Sequence, residues 1–275
     1  MTNFYSLDIP TDIEIIFKKA NSLNEKITLL KKNNNSLWIT ISKKLKVDWT
    51  YNSNSLEGST LTLGETLFFL NEGLTVEGKP FRDFLDARNH AEAIDYLYDI
   101  ISNKRTISES IIKEINALLL SGVTHTKAQT PQGESIKKIL IAGEYKKQPN
   151  HVLQANGIIH KYVDPLNVKD EMEILIDWVN KNISLLNPIQ VAAIAHYNLV
   201  RIHPFDDGNG RGARIFMNLI LIKSGFFPVV IRTERKRSYL DALSKADKGD
   251  LIPFIHFISD ELIQTYEEVI GNLML

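Results

Sequence analysis

The chain has 275 residues, 44% of them hydrophobic and 24% charged, with 32 Lys and Arg against 33 Asp and Glu for a formal net charge of -1. That length supports one large domain or two modest ones, the charge balance excludes a nucleic-acid binder acting through bulk charge, and the absence of cysteine excludes disulfides, thiolate nucleophiles and thiolate metal sites. The start MTNFYSLDIP lacks a basic region before an apolar run, and charges interrupt every apolar segment before about 18 residues, so the expectation is a cytoplasmic protein without a signal peptide or membrane span.

In chain order, the tract Lys31 to Ser36 (KKNNNS) is expected as a polar loop. Thr62-Leu63-Gly64-Glu65 has the T-x-x-E form of a capping box, and Thr106-Ile107-Ser108-Glu109 repeats it ahead of IIKEINALLLSG. There Ile111, Ile115, Leu118 and Leu119 share a helix face, with Gly122 as terminator. From Asn150 to Val163 (NHVLQANGIIHKYV) two short segments flank Asn156-Gly157, which suits a type I′ hairpin because both central positions need positive φ. A lone hairpin is unstable, so it must lie on the helical body. Asn187-Pro188 opens a helix that groups Val191, Ile194, Ala195 and Leu199, and RIFMNLILIKSGFFP forms another that ends near Ser224-Gly225. Further helices cover SYLDALSKAD and the stretch from Pro253 through FIHFISDELIQTYEEVI. The fold class expected is mainly α with one β-hairpin.

Between two apolar helices stands HPFDDGNGRGAR, His203 to Arg214. Unpaired amides at a helix start attract anions, and glycines let backbone approach phosphate oxygens, so Gly208-Asn209-Gly210 reads as an anion-binding turn, with Asn209 able to donate from its side chain. Arg211 and Arg214, three apart on the first turn, suit a polyphosphate. Asp207 is placed to hold a phosphate-bridging Mg²⁺. His203 closes the preceding helix, whose dipole is expected to raise its basicity, and is the candidate general base. Phe205 is expected to anchor the loop in the core.

HPFDDGNGR-x-x-R resembles the signature of Fic-domain proteins, H-x-F-x-[DE]-G-N-G-R-x-x-R, at every defined position. The resemblance implies a Fic-like helical bundle that transfers AMP from ATP to a Ser, Thr or Tyr hydroxyl of a target protein. It implies His203 as base, Asp207 as the Mg²⁺ ligand, and Gly208, Asn209, Gly210, Arg211, Gly212 and Arg214 as nucleotide contacts. Gly143-Glu144-Tyr145-Lys146 is similar to the family's G-x-Y-R segment, with lysine in place of arginine. The hairpin corresponds to the flap (143–163) on which the target docks, with His151, Val152, Leu153 and Gln154 as candidate contacts. Arg237-Ser238-Tyr239 and Ala246 to Asp250 resemble the segment near the nucleotide base, with Tyr239 as a contact. Doc-type relatives, which use kinase chemistry, carry Lys at the second Gly of G-N-G, so Gly210 points to nucleotidyl transfer.

Ser53-Asn54-Ser55-Leu56-Glu57-Gly58 has the S-x-x-x-E-G form of the family's inhibitory motif. A short helix ending at Gly58 would present Glu57 to Arg214 and misplace ATP. The division implied is an N-terminal region 1–105 carrying 53–58, a core 106–225 with the 203–214 motif, and C-terminal helices 226–275. Partners expected are ATP, an unidentified target and the protein itself, with a homodimer possible and no nucleic acid. Two other readings stay open: removal of AMP, with Glu57 positioning water, and a nucleotide-sensing module without chemistry. His90, His160, His196 and His256 are expected in packing or surface positions, and Trp38, Trp49 and Trp178 as core anchors.

Overall fold

The computed structural model describes residues 4–5, 8–129, 135–153 and 159–274. Two long helices, α1 (Thr11–Asn33) and α2 (Asn35–Leu56), come first. Only Asn34 separates them: it leaves helical geometry (φ -134°, ψ 56°), yet its N–H still bonds to the Leu30 carbonyl. The expected polar loop at Lys31 to Ser36 is therefore a helix end, a one-residue break and a helix start. In α3 (Leu63–Glu72) the capping box forms as expected: Thr62 Oγ1 accepts from the Glu65 N–H at 3.2 Å and Glu65 Oε2 from the Thr62 N–H at 2.7 Å.

Helices α4 (Phe81–Ser102) and α5 (Glu109–Leu119) follow. The second expected capping box does not form. Ser108, not Thr106, precedes α5, and the Glu109 carboxylate accepts a 2.7 Å bond from the Tyr145 hydroxyl instead of reaching back.

Strands β1 (His125–Gln129) and β2 (Ser135–Ile139) pair antiparallel, with His125 opposite Ile139. This pair was not expected, and its Lys-rich sequence lacks the apolar alternation that marks a strand. Strands β3 (Val152–Leu153) and β4 (Ile159–His160) are the expected hairpin, with Val152 opposite His160. The Asn156-Gly157 turn and Gln154 lie outside the described residues. The fold is mainly α with two strand pairs, rather than one, among the described residues.

The chain continues through α6 (Val168–Asn182), α7 (Pro188–Ile202), α8 (Asn209–Lys223), α9 (Lys236–Ala246) and α10 (Ile252–Leu273). Asn187 Oδ1 accepts the Ile189 N–H at 2.9 Å and so caps α7, as Asn-Pro implies. Every residue of α7 from Ile189 to Leu199 is buried, as a helix that is apolar nearly all round must be. Around it α8 packs most closely, α4 and α5 cover α8, α6 and α10 cover α7, and α2 lies between α4 and α10. One cluster of buried apolar side chains draws on residues of all three expected segments. Among the described residues no helix is long and apolar enough to cross a membrane.

Candidate active site

The turn between α7 and α8 is set by backbone conformations that few sequences adopt. His203 closes α7 in the left-handed region (φ 52°, ψ 58°), its N–H bonded to the Leu199 carbonyl at 3.0 Å. For a residue with a Cβ this costs of order 1 kcal/mol, a strain found mainly at functional sites. Gly208 (φ 77°) then starts α8. Asn209 clamps the loop: its Oδ1 accepts the Phe205 N–H at 2.9 Å and its Nδ2 donates to the Phe205 carbonyl at 2.8 Å. Its side chain thus shapes the turn, where donation to a phosphate was expected. Phe205 is buried against Tyr145 with ring centroids 5.5 Å apart, the anchor its position implies.

His203 carries Tyr162 stacked on its ring, centroids 3.7 Å apart and planes 19° off parallel. Behind it lies Lys146, the lysine of G-E-Y-K. Its N–H donates to the Pro204 carbonyl at 2.8 Å and its Nζ to Asn150 Oδ1 at 2.8 Å, so it braces the end of α7. Burial pushes Lys146 down to about 8. The His203 pKa is pushed down to about 3, first by burial and then by the Lys146 charge, with the Val200 backbone opposing. The dipole's expected gain in basicity is outweighed, and His203 is neutral near pH 7. Its Nδ1 is out of solvent, which leaves Nε2 for proton exchange.

Arg211 and Asp207 belong to a charge network that the motif alone does not reveal. Arg211 is 3% exposed, with Nη1 2.6 Å from Asp86 Oδ1. Arg82 places Nε 2.9 Å from both Asp86 oxygens and Nη2 3.1 Å from Asp207 Oδ2, while Asp207 Oδ1 accepts the Gly208 N–H at 2.6 Å. Arg82 and Asp86 stand on the first turns of α4, and their R-x-x-x-D spacing reads in sequence as an ordinary helical pair. Asp207 faces a cavity of about 540 Å³ that Arg211, Asp86 and Glu57 also line. Its oxygens suit a hard cation, and Arg82 is the group such a cation would displace. No three His, Asp or Glu among the described residues could hold a metal by themselves, and Mg²⁺ needs no such cage when phosphates complete its shell.

Arg214, 3% exposed, is held by α2. Its Nε donates to Ser53 Oγ at 2.9 Å, and its Nη2 to the Ser53 carbonyl at 2.9 Å and to Glu57 Oε1 at 2.7 Å. The helix presenting Glu57 is 22 residues long rather than short, and Glu57 is its C-cap ahead of Gly58 (φ 98°). Lys236 fastens that end by donating to the Leu56 carbonyl at 2.7 Å. The Glu57 carboxylate lies directly above Gly210, where a Cβ would collide with Oε1. A second cavity of about 180 Å³ is lined by Glu57, His203, Gly210, Arg214, Tyr162 and Tyr239. Glu57 therefore borders both cavities. Gly212 lies in the first turn of α8 beside Leu119.

The Tyr239 hydroxyl is 3.0 Å from Nε2 of His196, a buried histidine with the packing role expected. His151 reaches the site through Tyr162, whose N–H its Nδ1 accepts at 3.3 Å, while Asn150 Nδ2 donates to the Phe205 carbonyl of the loop at 2.8 Å. Val152 is 47% exposed, and the Leu153 and Gln154 side chains lie outside the described residues.

The Fic/DOC family model matches residues 106–221. A protein adenylyltransferase Fic of Nematostella vectensis is 35% identical over 211 residues, which cover 76% of this chain and 45% of that protein. The adenylyltransferase fic-1 of Caenorhabditis elegans is 31% identical over 228 residues, covering 82% and 41%. The chain thus spans less than half the length of these curated relatives. Among solved structures, a Fic domain containing signaling protein from Bacteroides thetaiotaomicron superposes with a TM-score of 0.80 at 30% identity, over 94% of this chain and 97% of that one. Fic-1 from C. elegans gives 0.77 at 27% identity, over 94% and 71%. With one motif matched throughout, its turn folded between two helices, and a full-length structural relative at that identity, the chain belongs to the Fic/DOC family.

Proposed function

We propose that the chain is a protein adenylyltransferase that moves AMP from ATP to a hydroxyl side chain of a target protein, and that Glu57 restrains it. One observation carries the reading: the Glu57 carboxylate bonds Arg214 at 2.7 Å above Gly210, where an anion at the start of α8 belongs. Cavities that take nucleotide-sized ligands measure about 300–1,000 Å³, and the 180 Å³ space beside His203 is too small by itself. ATP would span both cavities, with its base near Tyr239 and its phosphates passing Glu57 toward Arg211. The target hydroxyl would attack the α-phosphorus, giving its proton to His203 Nε2 as the bond to the β-phosphate breaks and pyrophosphate leaves. Mg²⁺ held by Asp207 would neutralise charge on the phosphates. Arg214, once free of Glu57, would fix the γ-phosphate and so align the α-phosphate.

A second reading has its own support. The Glu57 side chain is 44% exposed and lies beside His203 in the smaller cavity, so it can also position water for removal of AMP. Incubation of wild type and Glu57→Gly with α-labelled ATP and Mg²⁺ decides between the two, with self-modification as readout. Misplacing a reacting group by about 1 Å costs on the order of 10²-fold, so incorporation should rise by that order in the variant. Flat incorporation, together with loss of AMP removal from a modified target, would overturn the first reading.

A further inference from the structure

One cavity among the described residues stands apart from the catalytic motif. It measures about 950 Å³ and lies between α1, α2 and α4, under the chain that leaves α8. Its walls are aromatic. Trp38 meets Phe227 edge-on at 5.0 Å between centroids, and the Trp49 indole forms part of the floor. Its rim is cationic: Lys31, Lys32, Lys43 and Lys46 line it against a single acid, Asp95, whose oxygens Lys46 holds at 2.6 and 2.7 Å. Lys31 sits over the Trp38 ring at 4.8 Å and over Phe227 at 5.7 Å. Trp49 is 2% exposed, yet its Nε1 has no hydrogen-bond partner among the described residues. The N–H is closed off from solvent, so Trp49 contributes apolar ring surface to the lining.

We propose that this cavity binds an organic anion with a flat apolar body, and that its occupancy tightens the contact between Glu57 and Arg214. The body would lie between the aromatic walls with its negative group at the lysine rim. The coupling follows from α2. Trp49, Ser53 and Glu57 are spaced by four residues along that helix, so one face carries the cavity floor at one end and both partners of Arg214 at the other. The cavity is open with Glu57 engaged, and a ligand whose contacts need α2 in this position would favour that conformation over one with α2 displaced. The coupling, but not the binding, rests on reading Glu57 as a restraint.

The test uses the full chain and 8-anilinonaphthalene-1-sulfonate, whose fluorescence rises on entering an apolar site, with neutral N-phenyl-1-naphthylamine as control. Saturable binding of one probe per chain is expected, tighter for the anion than for the neutral compound. The Lys31→Glu/Lys43→Glu double variant should weaken it about tenfold, and Trp38→Ala should weaken it while thermal melting shows both variants folded. Equal affinity for the two probes, or an unchanged affinity in these folded variants, overturns the site. Linkage is reciprocal, so Glu57→Gly should bind the anion about fivefold more weakly than wild type. Equal affinity in wild type and Glu57→Gly overturns the coupling. None of these measurements uses AMP transfer, so failure of the adenylyltransferase reading, seen as no labelled AMP in either protein, is scored separately.

Discussion

His203 is neutral because Tyr162 and the protein cover it and Lys146 stands behind it. A base must be unprotonated before it accepts a proton, and with a pKa pushed down to about 3 His203 meets that condition across the physiological range. Acidification from pH 8 to pH 5 should therefore not abolish transfer through His203 protonation. His203→Ala should lower AMP transfer by about 10²–10⁴-fold, the usual worth of general-base assistance. ATP affinity, followed by calorimetry, should stay nearly constant, because no phosphate contact is removed. Undiminished incorporation in this variant sinks the mechanism. Asp207→Ala should lose Mg²⁺-dependent activity, and Arg211→Ala should weaken nucleotide binding and leave Asp86 short of a partner. Equal ATP affinity and equal Mg²⁺ dependence in wild type and both variants would count against these roles. The residues from His203 to Arg214 were legible because one loop and one helical turn hold them all. Arg82 was not, since it meets Asp207 from 125 positions away, and neither periodicity nor motif registers such a pair.

Two elements act on that loop from outside it. Helix α2 brings Glu57 and Ser53, and the β3–β4 hairpin brings Tyr162 onto His203. Val152 and Ile159 are exposed, 47% and 55%, on the paired strands of that hairpin, which offers an edge to which an extended segment can add. Strand addition recognises backbone before side chains, which would let one site accept a hydroxyl in different sequence contexts. Val152→Pro removes one backbone donor. A backbone hydrogen bond is worth about 0.5–1.5 kcal/mol net, so target modification should fall roughly three- to tenfold while ATP affinity holds. An equal fall in both quantities would mean that the proline disturbs the nucleotide site and would remove the case for docking. Elements were legible where a local signal has a local cause, as with the Thr62 capping box and Asn187-Pro188. They were not legible where tertiary contacts overrode that signal. Glu109 bonds Tyr145 instead of closing its box, and the Asn-rich tract is helical on both sides of Asn34. The β1–β2 pair carries lysines where a strand signal needs apolar residues.

At the scale of the molecule, helix content was readable from apolar periodicity, but the wrapping was not. Helix α1 lies along α10, the two ends of the chain side by side, and helical period carries no information about which helix a face meets. That wrapping sets an electrostatic cost. His90 and His196 are fully buried near Arg214, and burial first, then that positive charge, lowers both pKa values, His196 to about 3. For a histidine depressed in this way, the unfolded chain takes up a proton below about 6.5 while the folded protein does not. Stability is then complete above that value and is lost as pH falls toward 3. Between pH 6.5 and pH 5 such a group costs about 2 kcal/mol, at roughly 1.4 kcal/mol per pH unit. Urea unfolding should therefore show a lower midpoint at pH 5 than at pH 7, and the slope should survive high salt because burial, not surface charge, causes it. His196→Gln keeps a neutral hydrogen-bonding group beside Tyr239 and removes the titration. The variant should be less stable at pH 7 yet lose less on acidification, by about 2 kcal/mol. If the pH dependence of its unfolding matched that of wild type, His196 would have to be protonated or solvated in the folded protein, and the wrapping of α7 by α9 and α10 would not be as tight as the buried His196–Tyr239 contact requires.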